Sequence, residues 1–402
     1  MEPIYIIAAK RTPIGSFNGA LSSVSAPTLG AAAIKGAISQ CHIDPTLIDE
    51  VIVGNVLSAG IGMGPGRQAS IQAGIPETVP AYTLNMICGS GMKTVMDAAS
   101  HIKAGDAEIV VACGMESMSQ APFVQTHKVR SGVRMGNISL EDSIITDGLT
   151  DAFNHYHMGI TAENIAESLS ISREEQDAFA LKSQLNAASA LESHGFKSEI
   201  EPIEVSLRRK QYTVELDEYP KTDSTSESLS RLRPAFKKDG TVTAGNASGI
   251  NDGAAAIILA SKSAVERYQL KPMAEIVSYA QAGLSPDIMG LGPVPAITNA
   301  LEKSDLSLQD IEYFELNEAF AAQAIGVTKQ LAEKHNVDQS WILERTNHNG
   351  GAIALGHPLG ASGIRILVSL AYQLERKQQD YGLASLCIGG GMGTAVIIKR
   401  CS

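Results

Sequence analysis

Three glycine-rich segments of this chain carry side chains able to do covalent chemistry. They read Asn85-Met86-Ile87-Cys88-Gly89-Ser90-Gly91, Asn349-Gly350-Gly351-Ala352-Ile353-Ala354-Leu355-Gly356-His357-Pro358-Leu359-Gly360, and Cys387-Ile388-Gly389-Gly390-Gly391-Met392-Gly393. Glycine around a reactive group lets a substrate approach the backbone and frees N–H groups to bind an oxyanion. Two thiols and an imidazole spread over three such loops point to acyl transfer through a thioester.

Each of the three also has a plainer reading. Cys88 follows a strand-like segment and precedes a helix, whose positive end is expected to lower the thiol pKa. Against that stands the commonest fate of a free cysteine, which is to be a small buried hydrophobe. His357 sits in a stiff Gly-His-Pro-Leu-Gly loop, where it either packs with its nitrogens satisfied locally or serves as a base or a donor to a carbonyl oxygen. Cys387 ends a buried-looking strand and occupies the place that Cys113 holds earlier in the chain. Cys113 continues into Gly-Met-Glu-Ser, whereas Cys387 opens into a glycine nest. Two cysteines can divide the work, one carrying an acyl group and the other moving a proton. Cys41, Cys113 and Cys401 lack such a setting and read as structural.

The elements that must position these loops come in two copies. Ile48-Asp49-Glu50-Val51-Ile52-Val53-Gly54-Asn55 echoes Ile311-Glu312-Tyr313-Phe314-Glu315-Leu316-Asn317, and Cys88-Gly89-Ser90-Gly91 echoes Gly360-Ala361-Ser362-Gly363. Glu108–Met115 echoes Leu383–Gly390, and the step from Gly91 to Cys113 is 22 residues where Gly363 to Cys387 is 24. This order and spacing predict duplication of one α/β unit. Strands are expected at 4–9, 51–56, 108–113, 254–260, 274–280, 311–316, 383–388 and 394–399, with helices after Ser90, Thr161 and Ser362. The stretch 119–249 is richer in polar residues, carries a helix signal over 161–194 with starts at Thr161 and Ser172, and breaks the rhythm. It is expected to be an insertion, leaving 1–118 plus 250–270 as an N-terminal half and 271–402 as a C-terminal half.

Composition narrows the function. The chain has 402 residues, 44 % of them hydrophobic, and a net charge of −11, which suits a multi-unit globular protein and not a nucleic-acid binder. The basic run Arg208-Arg209-Lys210 reads as a solvated strand end. The mean hydropathy is +0.02, and no apolar run approaches the ~18 residues of a membrane span. The five cysteines are irregularly spaced, with no Cys-x-x-Cys and no His-Glu-x-x-His, so neither a disulfide framework nor a metal site is expected. His155-Tyr156-His157 lacks companions that would complete one. Gly64-Pro65-Gly66-Arg67-Gln68-Ala69 fits a dinucleotide fingerprint but no acidic ribose ligand follows. No Gly-Lys dipeptide and no Gly-x-Ser-x-Gly occurs, which removes a Walker loop and a serine-hydrolase elbow. The opening residues read as a strand with no leader and the end is not a peroxisomal address, so a cytoplasmic protein is expected.

At these residues the sequence resembles the thiolases, and among them those that condense acetyl-CoA. The resemblance spans the chain: Arg11-Thr12-Pro13-Ile14-Gly15, the Cys88 loop, Gly245-Asn246-Ala247-Ser248-Gly249, Asn317-Glu318-Ala319-Phe320, and the His357 and Cys387 loops. It departs at no catalytic position. It implies a duplicated five-layer α-β-α-β-α fold with an inserted loop domain, and a homotetramer built as a dimer of dimers. It implies that Cys88 attacks an acyl-CoA with help from His357, and that Cys387 takes a proton from a second acetyl-CoA to give acetoacetyl-CoA and CoA. His357 and a water on Asn317 would bind one thioester oxygen, and the amides of Cys88 and Gly389 the other. CoA is then substrate and product, with no resident cofactor. Along the CoA channel the resemblance places Leu149, His157, Met158, Lys221, Phe236, Ala244, Ser248, Ala319 and Phe320, with Lys221 where the family often has arginine. Bulky Met158 and Phe320 favour acetyl and acetoacetyl groups. The competing readings are a broader 3-ketoacyl-CoA thiolase, a decarboxylating condensing enzyme (which pairs its cysteine with two histidines), and an acyl-CoA-binding protein without catalysis.

Overall fold

In the computed structural model, which describes residues 2–207 and 210–401, the two sequence repeats become two sheets of matching plan. The first half supplies β1 (Ile4–Arg11), α1 (Ala26–Cys41), β2 (Glu50–Gly54), α2 (Pro65–Gln72), β3 (Ala81–Leu84), α3 (Ser90–Ala104) and β4 (Ile109–Ser117). After an excursion the chain returns as β5 (Asn251–Ser261), which lies between β4 and β1, antiparallel to both. The excursion carries α4 (Met158–Ser168) and α5 (Arg173–Glu192).

The second half repeats the plan with β6 (Ala274–Gly283), α6 (Pro293–Ser304), β7 (Tyr313–Leu316), α7 (Ala321–His335), α8 (Leu359–Lys377), β8 (Tyr381–Ile388) and β9 (Met392–Arg400). β2 runs parallel to β4 as β7 does to β8, and β4 pairs antiparallel with β5 as β8 does with β9. Even the short edge strand β3 has a remnant counterpart, the parallel bridge between Phe314 and Thr346. The sheets touch edge to edge where Tyr5 faces Glu275 and Ile6 faces Ala274.

Period-two alternation explains the layering. Ile4 and Ile6 point to the centre with Met92, Ile364, Leu367 and Leu386, whereas Ile7 points outward with Leu29, Ile34 and Val51. Ile297, Ile325, Leu331 and Ile397 form the outer core of the second half. Three cores between five layers result: α1 and α2, the first sheet, α3 with α8, the second sheet, then α6 and α7. The two inner helices approach closely because glycines face each other; a Cβ on Gly363 would lie 2.6 Å from the Met92 nitrogen.

All eight expected strands are present, with ends shifted by up to four residues, and β3 joins them. The helix signal over 161–194, with its two expected starts, becomes α4 and α5, separated where Ser170 adopts φ +51°. α4 starts at Met158 instead of Thr161, because His157 caps it by accepting the Gly159 amide at 3.0 Å. α5 opens with the expected capping box at Ser172 and Glu175. The basic run at Arg208 and Arg209 lies outside the described residues. The insertion is tied to β1 by Arg11, whose guanidinium is fully buried between Glu199 at 2.7 Å and Asp217 at 2.7 and 2.8 Å. The Arg-Thr-Pro-Ile-Gly motif is therefore an anchor.

Candidate active site

The Cys88 loop is a strained turn held by its own side chains. Ile87 adopts φ +47°, the left-handed region that a β-branched residue avoids. Asn85 Oδ1 accepts the Ile87 amide at 2.9 Å. Ser90 Oγ accepts the Met86 amide at 2.8 Å and donates to the Ile87 carbonyl at 2.7 Å. α3 begins only at Ser90, so Cys88 precedes the helix and projects toward the other half. A Cβ on Gly89 would overlap Ile388, the neighbour of Cys387.

Both other loops come from the second half. The Gly389 amide and the amide of Cys88 itself lie where they favour the Cys88 thiolate, and charge on Cys88 is felt at Cys387. The glycines beyond, Gly390 and Gly391, both sit at φ +86°, which lets the chain reverse directly behind Cys387. The His357 loop lies against the Cys88 loop: Leu359 packs in one cluster with Ile87 and Cys88, and a Cβ on Gly91 would come within 2.8 Å of the Gly360 carbonyl. The His357 amide donates to Asn251 Oδ1 at 2.9 Å, and its ring Nδ1 lies 2.6 Å from Ser362 Oγ. His357 Nε2 and both amide atoms of Asn317 are buried with no protein partner. The Asn317 amide donates to the Ser385 carbonyl at 3.0 Å, which fixes this residue two positions along from Cys387 on the neighbouring strand. Buried polar atoms without partners are rare in native proteins and mark places kept for a ligand or water.

The electrostatics correct one expectation. Cys88 does not have a lowered pKa; burial pushes it up to about 11, and the amides of Gly389 and Cys88 offset only part of that, with the Glu116 charge adding to the rise. Cys88 is half-buried by surface area, and its thiol sits ahead of the first helical turn, where desolvation leads. Cys387 is raised further, by burial and then by charge on Cys88. His357 is pulled down to about 4 by burial and by the nearby Arg365 cation. The resting constellation is therefore two thiols and a neutral imidazole, so a thiolate has to be made by a base in the site.

Most of the channel residues converge. His157 stacks on Phe236 with ring centroids 4.5 Å apart, and Phe236 meets Phe320 edge-on at 6.1 Å. Met158, Phe236, Ala319 and Phe320 share one hydrophobic cluster with Cys387, and a Cβ on Gly389 would be 3.5 Å from Met158 Sδ. The Ser248 amide donates to the Ala319 carbonyl at 3.0 Å, placing Ser248 at the same wall. Leu149 packs with Cys88 and Leu359. Ala244 is exposed just beyond this wall. Lys221 is also exposed, its Nζ 5.4 Å from the ring of Tyr219, which packs against Gly249 beside Ser248, and its amide donates to Gln184.

Three residues that position the site escaped the sequence reading. Glu116 is fully buried and accepts four N–H groups: Asn55 Nδ2 and the Leu57 amide on Oε1, the Val56 and Gly360 amides on Oε2, at 2.8 to 3.1 Å. It binds the start of α8, the helix that follows His357, to the first half. Asn251 holds the His357 backbone, and Ser362 holds its ring. Only Ser362 had a signal, since it lies in the repeated Gly-Ser-Gly-like segment.

A duplicated five-layer fold that brings a thiol loop from one half against an imidazole and a second thiol from the other is the architecture of thiolases. The chain belongs to the thiolase family: residues 4–263 match the model of the thiolase N-terminal domain and residues 270–400 that of the C-terminal domain. It is 52 % identical over 400 residues to the acetyl-CoA acetyltransferase of Escherichia coli (strain K12), covering 100 % of both chains. It is 51 % identical over 401 residues to the cytosolic acetyl-CoA acetyltransferase of Rattus norvegicus, covering 99 % of this chain and 98 % of the relative. Among solved structures, acetyl-CoA acetyltransferase from Syntrophomonas wolfei superposes with a TM-score of 0.96 at 40 % identity over 100 % of both chains. Human mitochondrial 3-ketoacyl-CoA thiolase in complex with CoA gives 0.94 at 44 % identity, covering 100 % of this chain and 98 % of that one.

Proposed function

We infer that this chain is an acetyl-CoA C-acetyltransferase, which reversibly joins two acetyl-CoA molecules into acetoacetyl-CoA and CoA through an acetyl group carried on Cys88. The observation that carries the reading is the packing of the Cys387 loop and the His357 loop against the Cys88 loop, in a chain about half identical, end to end, to acetyl-CoA acetyltransferases.

His357 takes the Cys88 proton, the thiolate attacks the acetyl-CoA carbonyl, and the amides of Cys88 and Gly389 hold the developing oxyanion. CoA leaves with the proton of Cys387, which becomes a thiolate beside the imidazolium. A second acetyl-CoA enters, the Cys387 thiolate removes a proton from its methyl carbon, and the carbanion attacks the acetyl-enzyme. This releases acetoacetyl-CoA and a Cys88 thiolate that His357 reprotonates. A proton α to a thioester is barely acidic, so the enolate oxygen needs donors, the place of His357 and of a water on Asn317. Each donor is worth roughly 3 kcal/mol of barrier. The chemistry uses side chains and thioesters alone, with CoA as substrate and product and no resident cofactor or metal.

Met158 and Phe320, clustered with Cys387, close the acyl end and support short-chain substrates over long ones. The cytosolic relatives support a cytoplasmic setting. No helix among the described residues is long and apolar enough to cross a membrane. Exposed apolar side chains at Phe123, Met135 and Leu140 in the insertion support assembly as a homotetramer. Light scattering on the purified protein tests that.

The deciding experiment is mass spectrometry after brief incubation with acetyl-CoA. The expected result is one acetyl group on Cys88, retained in Cys387→Ala while acetoacetyl-CoA synthesis is lost. An adduct on another residue overturns the roles. Equal thiolysis of acetoacetyl-CoA and a long-chain ketoacyl-CoA would favour the broader thiolase.

A further inference from the structure

The hydroxyl of Ser362 touches the catalytic histidine at Nδ1, across the ring from the unpartnered Nε2. Ser362 is fully buried one turn into α8, with Oγ 2.9 Å from the Pro358 carbonyl and 2.6 Å from His357 Nδ1. A hydroxyl has one proton to give. A carbonyl can only accept, and that of Pro358 also takes the Ala361 and Ser362 amides at 3.0 Å; with the Ser362 proton in this set, the hydroxyl oxygen is left as an acceptor for Nδ1–H.

The repeat provides a second view of the same device. Ser90, the counterpart of Ser362 in the first half, also gives its proton to a carbonyl, that of Ile87 at 2.7 Å, and takes an N–H on its oxygen, from the Met86 amide at 2.8 Å. In the second half a ring nitrogen stands where the first half has a backbone amide. The opposite ring atom, Nε2, is buried without a protein partner.

We propose that Ser362 is a positioning residue that fixes the proton of neutral His357 on Nδ1, so that Nε2 keeps its lone pair as the base for Cys88. A neutral imidazole with the proton on Nε2 could not accept one there, so the choice of tautomer decides whether the ring can activate the thiol. Burial and Arg365 keep His357 neutral at rest, which makes the tautomer the state that matters. When Nε2 takes the Cys88 proton the ring becomes imidazolium, and Nδ1–H keeps its acceptor throughout. Nε2–H then points to where the second thioester sits, and returns the proton to Cys88 when acetoacetyl-CoA is released. The role rests on the function proposed above, but the position of the proton does not.

Neutron diffraction from the deuterated enzyme reads the proton directly. The expected result is deuterium on His357 Nδ1, none on Nε2, and the Ser362 deuterium pointing to the Pro358 oxygen. Deuterium on Nε2 overturns the proposal whether or not any variant folds. In solution, Ser362→Ala is expected to slow release of the first CoA, the acylation burst, about tenfold to a hundredfold. Acetyl-CoA binding should stay within about twofold, and Ser362→Thr should recover most of the rate. A folded Ser362→Ala enzyme that acylates at the wild-type rate sinks the proposal. Failure of the wild-type protein to cleave acetoacetyl-CoA would instead sink the assigned function and leave the neutron result standing.

Discussion

The Gly360 amide donates to the Glu116 carboxylate at 2.8 Å, a hydrogen bond that joins the two halves of the molecule directly beneath the site. Each oxygen of Glu116 takes two N–H donors. In Glu116→Gln one of those oxygens becomes an NH2 facing two donors, whichever way the amide turns. The expected cost is about 1–3 kcal/mol in urea unfolding. Gly360→Ala should cost a similar amount, since its Cβ would fall 2.6 Å from the Met115 carbonyl. Unchanged unfolding midpoints in both variants would remove this contact from the account.

The pH dependence of Cys88 alkylation follows from two directions. His357, pulled down to about 4, is neutral and able to accept a proton at any pH above that, so lowering the pH through about 4 should abolish its help. Cys88, pushed up to about 11, forms little thiolate unaided at neutral pH. In His357→Asn the rate with iodoacetamide should climb about tenfold per pH unit toward pH 11. The wild-type enzyme should be faster at pH 7 by roughly 10²-fold or more and change less with pH. Equal rates at pH 7 would show that the imidazole does not activate the thiol.

Met158 lies where it is proposed to set the depth of the acyl end. Met158→Ala removes a buried side chain that abuts Gly389 and shares a cluster with Cys387. Its kcat/KM for a six-carbon ketoacyl-CoA relative to acetoacetyl-CoA should rise by roughly tenfold, the worth of one or two methylenes in an apolar pocket. A ratio that stays put would assign chain-length control elsewhere.

Arg11 is the sole described cation in hydrogen-bond contact with both Glu199 and Asp217. Arg11→Met would strand two buried carboxylates, at an expected cost of about 3–5 kcal/mol in denaturant unfolding. A loss under about 1 kcal/mol would mean the insertion is anchored by other contacts.

The fold was largely legible because duplication writes itself twice. The near-equal steps from Gly91 to Cys113 and from Gly363 to Cys387 became α3–β4 and α8–β8, equivalent units of the two halves. β3 was missed because Ala81-Tyr82-Thr83-Leu84 is a short edge strand with half-buried side chains throughout, so no alternation marks it. The residue types and glycine setting of the site could be read, while its electrostatics could not. Nothing local to Cys88 reveals that Ile388, far along the chain, will pack against the neighbouring Gly89. Ser362 looked like one more small residue of the repeat until its oxygen was seen against His357.

β5 is the strand on which the first half closes, yet it is synthesised about 130 residues after its neighbour β4. The nascent chain must therefore hold Cys88 in an unfinished sheet until the whole insertion has emerged, and the histidine loop follows nearly a hundred residues later still. Such distant pairing slows folding and leaves strand edges open to other chains meanwhile. An enzyme wired this way is expected to lean on chaperones during its own birth more than its robust, glycine-locked interior would suggest.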